Sequence, residues 1–153
     1  MDLILWRHAE ANEARADLAD TDRPLTAKGE RQARRMAHWL NQHLPDTTRV
    51  LVSPTLRTRQ TAEHLERKQR VVPTLGAEGT MDTLLQVCRW PEAKEPVLVV
   101  GHQTTLGLTV AYLLAGQTEP WSFRKGSVWW LRHRERRGKA ETVLHLVASP
   151  EYL

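Results

Sequence analysis

Apolar residues along this chain fall into two kinds of pattern, and each pattern predicts its own element. Continuous apolar runs are typical of strands covered on both faces of a sheet. Such runs predict strands at Leu3 to Trp6, at Arg49 to Val52 and at Pro96 to His102, with a further strand around Arg70 to Pro73. The tail differs, because "SVWWLRHR" and "ETVLHLVA" flank the polar segment "ERRGK", as the two arms of a hairpin do.

Helical spacing of apolar residues appears between these runs. Thr26 caps the first predicted helix, which ends at Pro45. Ser53 is the predicted cap of the second helix, with Pro54 in its first position, and that helix runs to roughly Arg67. Two further helices are expected from about Met81 to Trp90 and from about Thr104 to Ala115.

Strands that alternate with helices predict an α/β fold with right-handed crossovers. We expect a three-layer αβα sandwich whose central sheet is mostly parallel and ends on one side in the antiparallel C-terminal hairpin. The 153 residues suit one domain, 1–153, with no linker or repeat to divide it.

Composition narrows the class of protein. Charged residues make up 26% and hydrophobic residues 41%, which is typical of a folded, water-soluble chain. No run of about twenty apolar residues occurs, and the short run at Leu3 to Trp6 does not suit a signal peptide, so we expect a cytoplasmic protein without membrane contact. Cys88 is the one cysteine and lies in an apolar pattern that predicts a buried thiol. The net charge of +4 favours acidic or phosphorylated partners.

Polar residues follow three of the predicted strands at the edge where α/β folds bind ligands. Arg7 and His8 follow the first strand, Ser53 and Arg57 the second, and His102 the strand "PVLVVGH". Arginine forks and helix N–H groups match phosphate oxygens, so this convergence predicts a phosphate site. An Arg-His pair alone is most simply explained as part of a structural ion pair. Because polar residues of this kind follow all three strands, we favour a phosphate site.

Two other classes of function fit less well. A metal site would need closely spaced ligands on one element, and arginines beside His8 would repel a cation, so we expect no metal and no cofactor. Nucleic-acid binding would rest on "RHRERRGK" and on Trp129 and Trp130. A solvated hairpin turn explains the charges, and in an alternating strand one of the two tryptophans is buried, so we expect no nucleic-acid partner.

The motifs "LWRHAEA", "RPLTAKGERQA", "LVSPTLRTRQTA" and "VLVVGH" resemble, in order, those of the histidine phosphatase superfamily, which has the phosphoglycerate mutase-like fold. With its short length and its "KGSVWWL" segment, the chain most resembles the SixA-like phosphohistidine phosphatases. The resemblance implies that His8 is a nucleophile that becomes phosphorylated, that Arg7 and Arg57 bind the phosphoryl oxygens, and that His102 stabilises the transition state. Further substrate contacts are expected at Arg23, Ser53 and Gln103, although Arg23 equally suits an ion pair with Asp20 or Asp22.

The chain departs from the family pattern at two positions. Ala9 stands where relatives have glycine, which adds only a methyl group. Thr74 stands where many relatives carry a proton-donating glutamate, and Glu78 and Asp82 are the candidate replacements.

An enzyme without such an acid favours a substrate whose leaving group needs little help, as phosphohistidine does. The short chain also leaves little room for a lid, which favours a phosphorylated protein of a signalling pathway, such as a histidine-phosphotransfer protein. A small-metabolite phosphatase and a phosphoprotein-binding module with little turnover remain as alternatives.

Overall fold

A computed structural model describes residues 1–153. It contains six strands, four α-helices and three short 3₁₀ turns. The strands are β1 (Asp2–Arg7), β2 (Arg49–Val52), β3 (Arg70–Val71), β4 (Val97–Gly101), β5 (Val128–Arg136) and β6 (Lys139–Ala148); the helices are α1 (Ala27–His43), α2 (Leu56–Glu63), α3 (Met81–Cys88) and α4 (Gln103–Ala115); the 3₁₀ turns are Asp20–Asp22, Pro73–Leu75 and Pro150–Tyr152.

The strands form one mixed sheet in the order β3-β2-β4-β1-β5-β6. Neighbours among β1 to β4 run parallel, with Leu3 of β1 opposite Val97 of β4. The β5–β6 hairpin adds to β1 in the antiparallel direction. The predicted fold class, a mostly parallel sheet that ends in an antiparallel hairpin, is confirmed.

Two apolar layers cover the sheet, one on each face. Side chains of β1 alternate between them: Leu3 and Leu5 pack with α3 and α4, whereas Ile4 and Trp6 pack with α1 and α2. All four are fully buried. Continuous apolar sequence is therefore needed through Trp6, and the first polar residues, Arg7 and His8, fall at the carboxyl edge of the sheet.

The start and end of α2 differ from the prediction. Thr55, not Ser53, is the N-cap, since its hydroxyl accepts a bond from the Thr58 backbone N–H at 3.4 Å, and the helix begins at Leu56 rather than at Pro54. The helix ends at Glu63 rather than near Arg67, because Glu66 turns the backbone with a φ of 54°. These changes free Ser53 for another contact.

A left-handed residue also ends α3 early. The helix stops at Cys88 instead of Trp90, because Arg89 adopts a φ of 57° and the Trp90 N–H donates back to the Leu85 carbonyl. Cys88 is fully buried, as predicted, and burial raises the pKa of its thiol to about 12. Such a thiol remains protonated and is not a nucleophile.

The hairpin strands extend into the polar segment that predicted the turn. β5 and β6 pair as far as Arg136 and Lys139, so only Arg137 and Gly138 connect them. Both connecting residues have positive φ, 53° and 77°, as a two-residue type I′ turn requires. At the other end of β5, Trp130 is buried, which confirms that one tryptophan of the pair is covered.

None of the helices combines the length and the apolar character needed to cross a bilayer.

Candidate active site

The predicted polar residues meet at the carboxyl edge of three adjacent strands. The sheet order places β4 between β1 and β2. Arg7 and His8 therefore end one strand beside His102, and Ser53 ends the strand on the other side. Arg57 reaches the same place from the first turn of α2. The structure brings these five predicted residues together.

The orientation of the His8 ring is fixed by its own loop. Its Nδ1 lies 2.7 Å from the Ala9 carbonyl oxygen. A carbonyl only accepts, so Nδ1 carries the proton and Nε2 keeps a free lone pair. The loop is held in turn because the Ala9 N–H donates to the Thr61 hydroxyl at 3.1 Å, and that hydroxyl donates to the Arg57 carbonyl at 2.7 Å. The His8 loop and α2 are thus joined by one buried threonine.

Both imidazoles of the site are held in the neutral form. Burial, reinforced by the charges of His102, Arg57 and Arg7, lowers the pKa of His8 to about 3, against the opposing effect of its bond to Ala9. Burial and the Arg57 charge lower the pKa of His102 to about 4. A neutral imidazole is the form that can act as a nucleophile, and His8 is in this form throughout the physiological pH range.

His102 lies opposite His8, with 5.6 Å between the ring centroids and 59° between the ring planes. Its Nε2 is 2.7 Å from the hydroxyl of Ser53, which is fully buried. Ser53, predicted to cap α2, thus contacts His102 instead, and its predicted contact with substrate stays a prediction. His102 is also the N-cap residue of α4 without a capping side-chain bond, which leaves N–H groups of the first turn available to an anion.

Two guanidiniums flank the imidazoles and are held in different ways. Arg7 donates from Nη1 to the Phe123 carbonyl at 2.7 Å. Arg57, only 7% exposed, donates to the Asp20 carbonyl at 2.8 Å and to its carboxylate at 3.2 Å. The Nε atoms of both arginines are buried and have no hydrogen-bond partner. Burial lowers the pKa of each guanidinium, but arginine stays charged at physiological pH. The site therefore holds two N–H donors without a hydrogen-bond acceptor, and such donors suit an oxyanion.

Asp20, expected from the sequence only as an ion-pair partner of Arg23, also contacts Arg57. Its carboxylate contacts Arg57 at 3.2 Å and Arg23 at 3.0 Å. Partial burial acts to raise the pKa of Asp20, but the Arg57 and Arg23 charges outweigh it and hold the pKa below its usual range. Arg23 also donates to the Asn12 carbonyl at 2.7 Å. The predicted Arg23–Asp20 pair is therefore present, at the mouth of the site.

Gln103 contributes through its side chain. The amide donates from Nε2 to the Trp121 carbonyl at 2.8 Å and accepts from the Phe123 N–H at 2.6 Å. The same segment supplies the carbonyl that holds Arg7. Gly107 permits this packing, because a Cβ there would lie 2.2 Å from the Trp121 oxygen. The Gln103 amide thus fixes the segment that supports Arg7, and the predicted contact of Gln103 with substrate stays a prediction.

The candidate proton donors form no side-chain bond with the site residues, and their role stays a prediction. Glu78 and Asp82 are exposed and make no side-chain hydrogen bond or ion pair, and Thr74, at the usual glutamate position, is exposed as well. The only carboxylate that contacts the site arginines is Asp20, and it is ionised. No protonated carboxylic acid is therefore held against the two imidazoles.

A neutral imidazole with a free Nε2 lies opposite a second imidazole, beside two buried guanidiniums whose Nε donors have no partner. Together these groups suit the class of phosphoryl-transfer sites. The family comparison gives the same class. The family model of the histidine phosphatase superfamily (branch 1) matches residues 3–79, and the chain belongs to this superfamily.

Individual relatives and solved structures resemble the chain over most of its length. The chain is 37% identical over 164 residues to an uncharacterized protein of Picosynechococcus, with 100% of this chain and 99% of that protein covered. It is 36% identical over 129 residues to the phosphohistidine phosphatase SixA of Escherichia coli K12, with 78% of each chain covered. Among solved structures, the protein histidine phosphatase SixA complexed with tungstate superposes with a TM-score of 0.76 at 30% identity, over 99% of both chains.

Proposed function

We propose that this protein is a phosphohistidine phosphatase that removes the phosphoryl group from a histidine of a partner protein. The observation that carries the proposal is the pair of neutral imidazoles, 5.6 Å apart, flanked by two guanidiniums with spare buried donors. The likeness to the phosphohistidine phosphatase SixA of Escherichia coli, and to a solved protein histidine phosphatase SixA complexed with tungstate, supports it. Tungstate is a tetrahedral oxyanion like phosphate.

In the first step, Nε2 of His8 attacks the phosphorus atom of the substrate. A P–N bond to His8 forms while the P–N bond of the substrate breaks, and the departing imidazole leaves as a neutral ring that retains its own proton. Arg7 and Arg57 neutralise the phosphoryl oxygens, and the Ala9 carbonyl stabilises the positive charge that His8 gains. His102 stabilises the equatorial oxygens from the opposite side.

In the second step, water attacks the phosphorus atom and His8 leaves. The P–N bond to His8 breaks, a P–O bond forms, and the proton of the water passes to the released phosphate. His8 returns to the neutral state that burial favours, and this closes the cycle. The step uses only protein groups and water, so the reaction needs no metal or cofactor.

The environment of the carboxylates supports phosphohistidine over a phosphomonoester. An alkoxide leaving group needs a proton from a general acid, but Glu78 and Asp82 are exposed and Asp20 is ionised. A substrate P–N bond is labile, and a departing imidazole needs no such acid when it carries its own proton. The site therefore suits a substrate whose leaving group departs without a proton from a general acid.

The proposal predicts a clear order of substrates. A phosphorylated histidine-phosphotransfer domain is expected to show the highest kcat/KM, above sugar phosphates and glycerate phosphates, and chelators are expected to leave turnover unchanged. A higher kcat/KM on a small phosphomonoester would identify a metabolite phosphatase instead. Binding of the phosphorylated domain without release of phosphate would identify a binding module.

A further inference from the structure

A concave surface lies near the candidate active site. It is a groove of about 530 Å³ between α1 and the C-terminal 3₁₀ turn. We call it the α1 groove; its lining residues are Lys28, Arg31, Gln32, Arg35, Pro150 and Glu151. On α1 these positions follow the spacing of one helix face, so the first four form a continuous stripe.

Two contacts connect the α1 groove to the loop that carries His8. Gln32, in the groove wall, accepts from the Glu10 N–H at 2.9 Å. Gly126 donates its N–H to the His8 carbonyl at 3.0 Å, and its other side packs so closely on Pro150 that a Cβ would lie 3.2 Å from the proline ring. One glycine thus separates the groove wall from the backbone of the candidate nucleophile.

Sheet register places the groove and the site at the same edge. Val128, the first residue of β5, lies opposite Trp6, which precedes Arg7 in β1. Ala148, the last residue of β6, lies opposite the same Val128. Pro150 therefore follows its strand at the edge where Arg7 and His8 follow theirs, and a macromolecule at the site would also face the groove.

The charges of the α1 groove are largely free to act on a partner. Lys28 and Arg31 are exposed and form no ion pair or side-chain hydrogen bond. Arg35 donates to the Pro150 carbonyl at 3.4 Å, a neutral acceptor. Glu151 is the one acidic residue of the lining, and its carboxylate is already paired with Arg124 at 2.6 Å. The groove is therefore positive beside a site that takes an anion.

From this placement, the geometry points to the α1 groove as the docking surface for an acidic segment of the phosphorylated protein substrate, next to its phosphohistidine. The inference rests on the proposed function, whose substrate it describes more closely. An acidic polypeptide fits better than single-stranded nucleic acid, because the lining contains no aromatic side chain on which a base would stack. Exposed opposite charges on two proteins act mainly on encounter and selectivity.

Two synthetic phosphohistidine peptides test the inference. They are identical except that one carries four glutamates beside the phosphohistidine and the other carries four glutamines. The wild-type protein is expected to hydrolyse the acidic peptide with the higher kcat/KM, and Lys28→Glu/Arg31→Glu is expected to reduce that kcat/KM by about tenfold. The double variant should hydrolyse the glutamine peptide and p-nitrophenyl phosphate as the wild type does, because neither residue contacts the site.

The hairpin provides a matched control. Arg136→Glu/Lys139→Glu makes the same change in charge at exposed residues of the far end of β5 and β6. That variant should keep the preference for the acidic peptide, and raising the salt concentration should weaken the preference in the wild type.

Each outcome decides between the two proposals. Equal kcat/KM on both peptides, or equal loss in the two charge-reversal variants, would overturn docking at the α1 groove while the proposed function stands. Failure to hydrolyse either peptide would overturn the proposed function, and the docking inference with it. Salt-sensitive binding of an oligonucleotide that Lys28→Glu/Arg31→Glu abolishes, without peptide preference, would identify a nucleic-acid surface instead.

Discussion

At the scale of single residues, phosphate binding depends on which arginine charges are already offset by a neighbouring carboxylate. Arg7 is held by a neutral carbonyl, whereas Arg57 is held by Asp20. A bound phosphate therefore meets the full charge of Arg7 but competes with a carboxylate for Arg57. The two arginines are chemically alike in the sequence, and only their supports distinguish them.

Asp20→Asn is expected to strengthen phosphate binding. The amide keeps a hydrogen-bond acceptor for Arg57 but no longer offsets its charge, so the inhibition constant of inorganic phosphate should fall by about threefold, as for a partly exposed ion pair. The measurement is competitive inhibition of p-nitrophenyl phosphate turnover. Asp22→Asn removes a neighbouring exposed carboxylate that makes no such contact, and should change nothing. Weaker binding in Asp20→Asn would show that the carboxylate mainly positions Arg57.

Removing either guanidinium should slow the chemical step. Arg7→Ala or Arg57→Ala deletes a donor that stabilises charge in the transition state, which costs about 3 kcal/mol of barrier, or about a hundredfold in kcat/KM. Steady-state kinetics on a phosphohistidine peptide measures the loss. A loss below threefold in both variants would exclude the proposed role of the arginines.

At the scale of elements, the start of α4 organises more than His102. The Gln103 amide bonds to both sides of the segment from Trp121 to Phe123, and the Phe123 carbonyl holds Arg7. Gln103, which follows His102, thereby fixes Arg7, which precedes His8. This connection joins β4–α4 to β1 across the site.

A double-mutant cycle tests whether Gln103 acts through Arg7. Gln103→Met removes both amide bonds at similar volume and is expected to weaken tungstate binding by about tenfold, because the Arg7 guanidinium loses its fixed position. In an Arg7→Ala background the same substitution should have little further effect. Equal losses in both backgrounds, with unchanged Tm, would show that Gln103 affects the site by another route.

At the scale of the whole molecule, the buried imidazoles make stability depend on pH. In the folded protein the pKa values are about 3 for His8 and about 4 for His102, whereas an unfolded histidine has a value of about 6.5. Between these values the unfolded chain binds more protons than the folded one. The free energy of unfolding should therefore rise as pH increases from about 4 to about 6.5, and then level off.

Urea unfolding in phosphate-free buffer measures this dependence. His102→Asn keeps a polar side chain against Ser53 but removes one buried imidazole, so the slope with pH should become shallower. His38→Asn, at an exposed position of α1, should leave the slope unchanged. A slope as steep in His102→Asn as in the wild type would contradict the low pKa of His102.

The elements that sequence predicted best are those whose signals are local. β1, β2, β4 and α1 have continuous apolar runs or a clear cap, and their bounds lie within about two residues of the prediction. The ends of α2 and α3 were wrong because Glu66 and Arg89 adopt left-handed conformations, which their side chains do not signal.

The same distinction holds for the candidate site. Strand ends are predictable, so Arg7, His8 and His102 were found by their positions alone. The contacts of Asp20 with Arg57 and of Gln103 with Phe123 join distant parts of the chain, and no spacing rule reports them. The sequence shows that one face of α1 is charged, but only the position of Pro150 shows that this face walls a groove.

In the proposed reaction, His8 carries the phosphoryl group between substrate and water. Rapid mixing with excess phosphohistidine peptide, an alkaline quench and mass spectrometry of the intact protein and its peptides test it most directly. We expect one added phosphoryl group, located on His8, stable to alkali and lost in acid, and absent from His8→Ala, which should have no turnover. Turnover by His8→Ala, or a phosphoryl group on another residue, would contradict it.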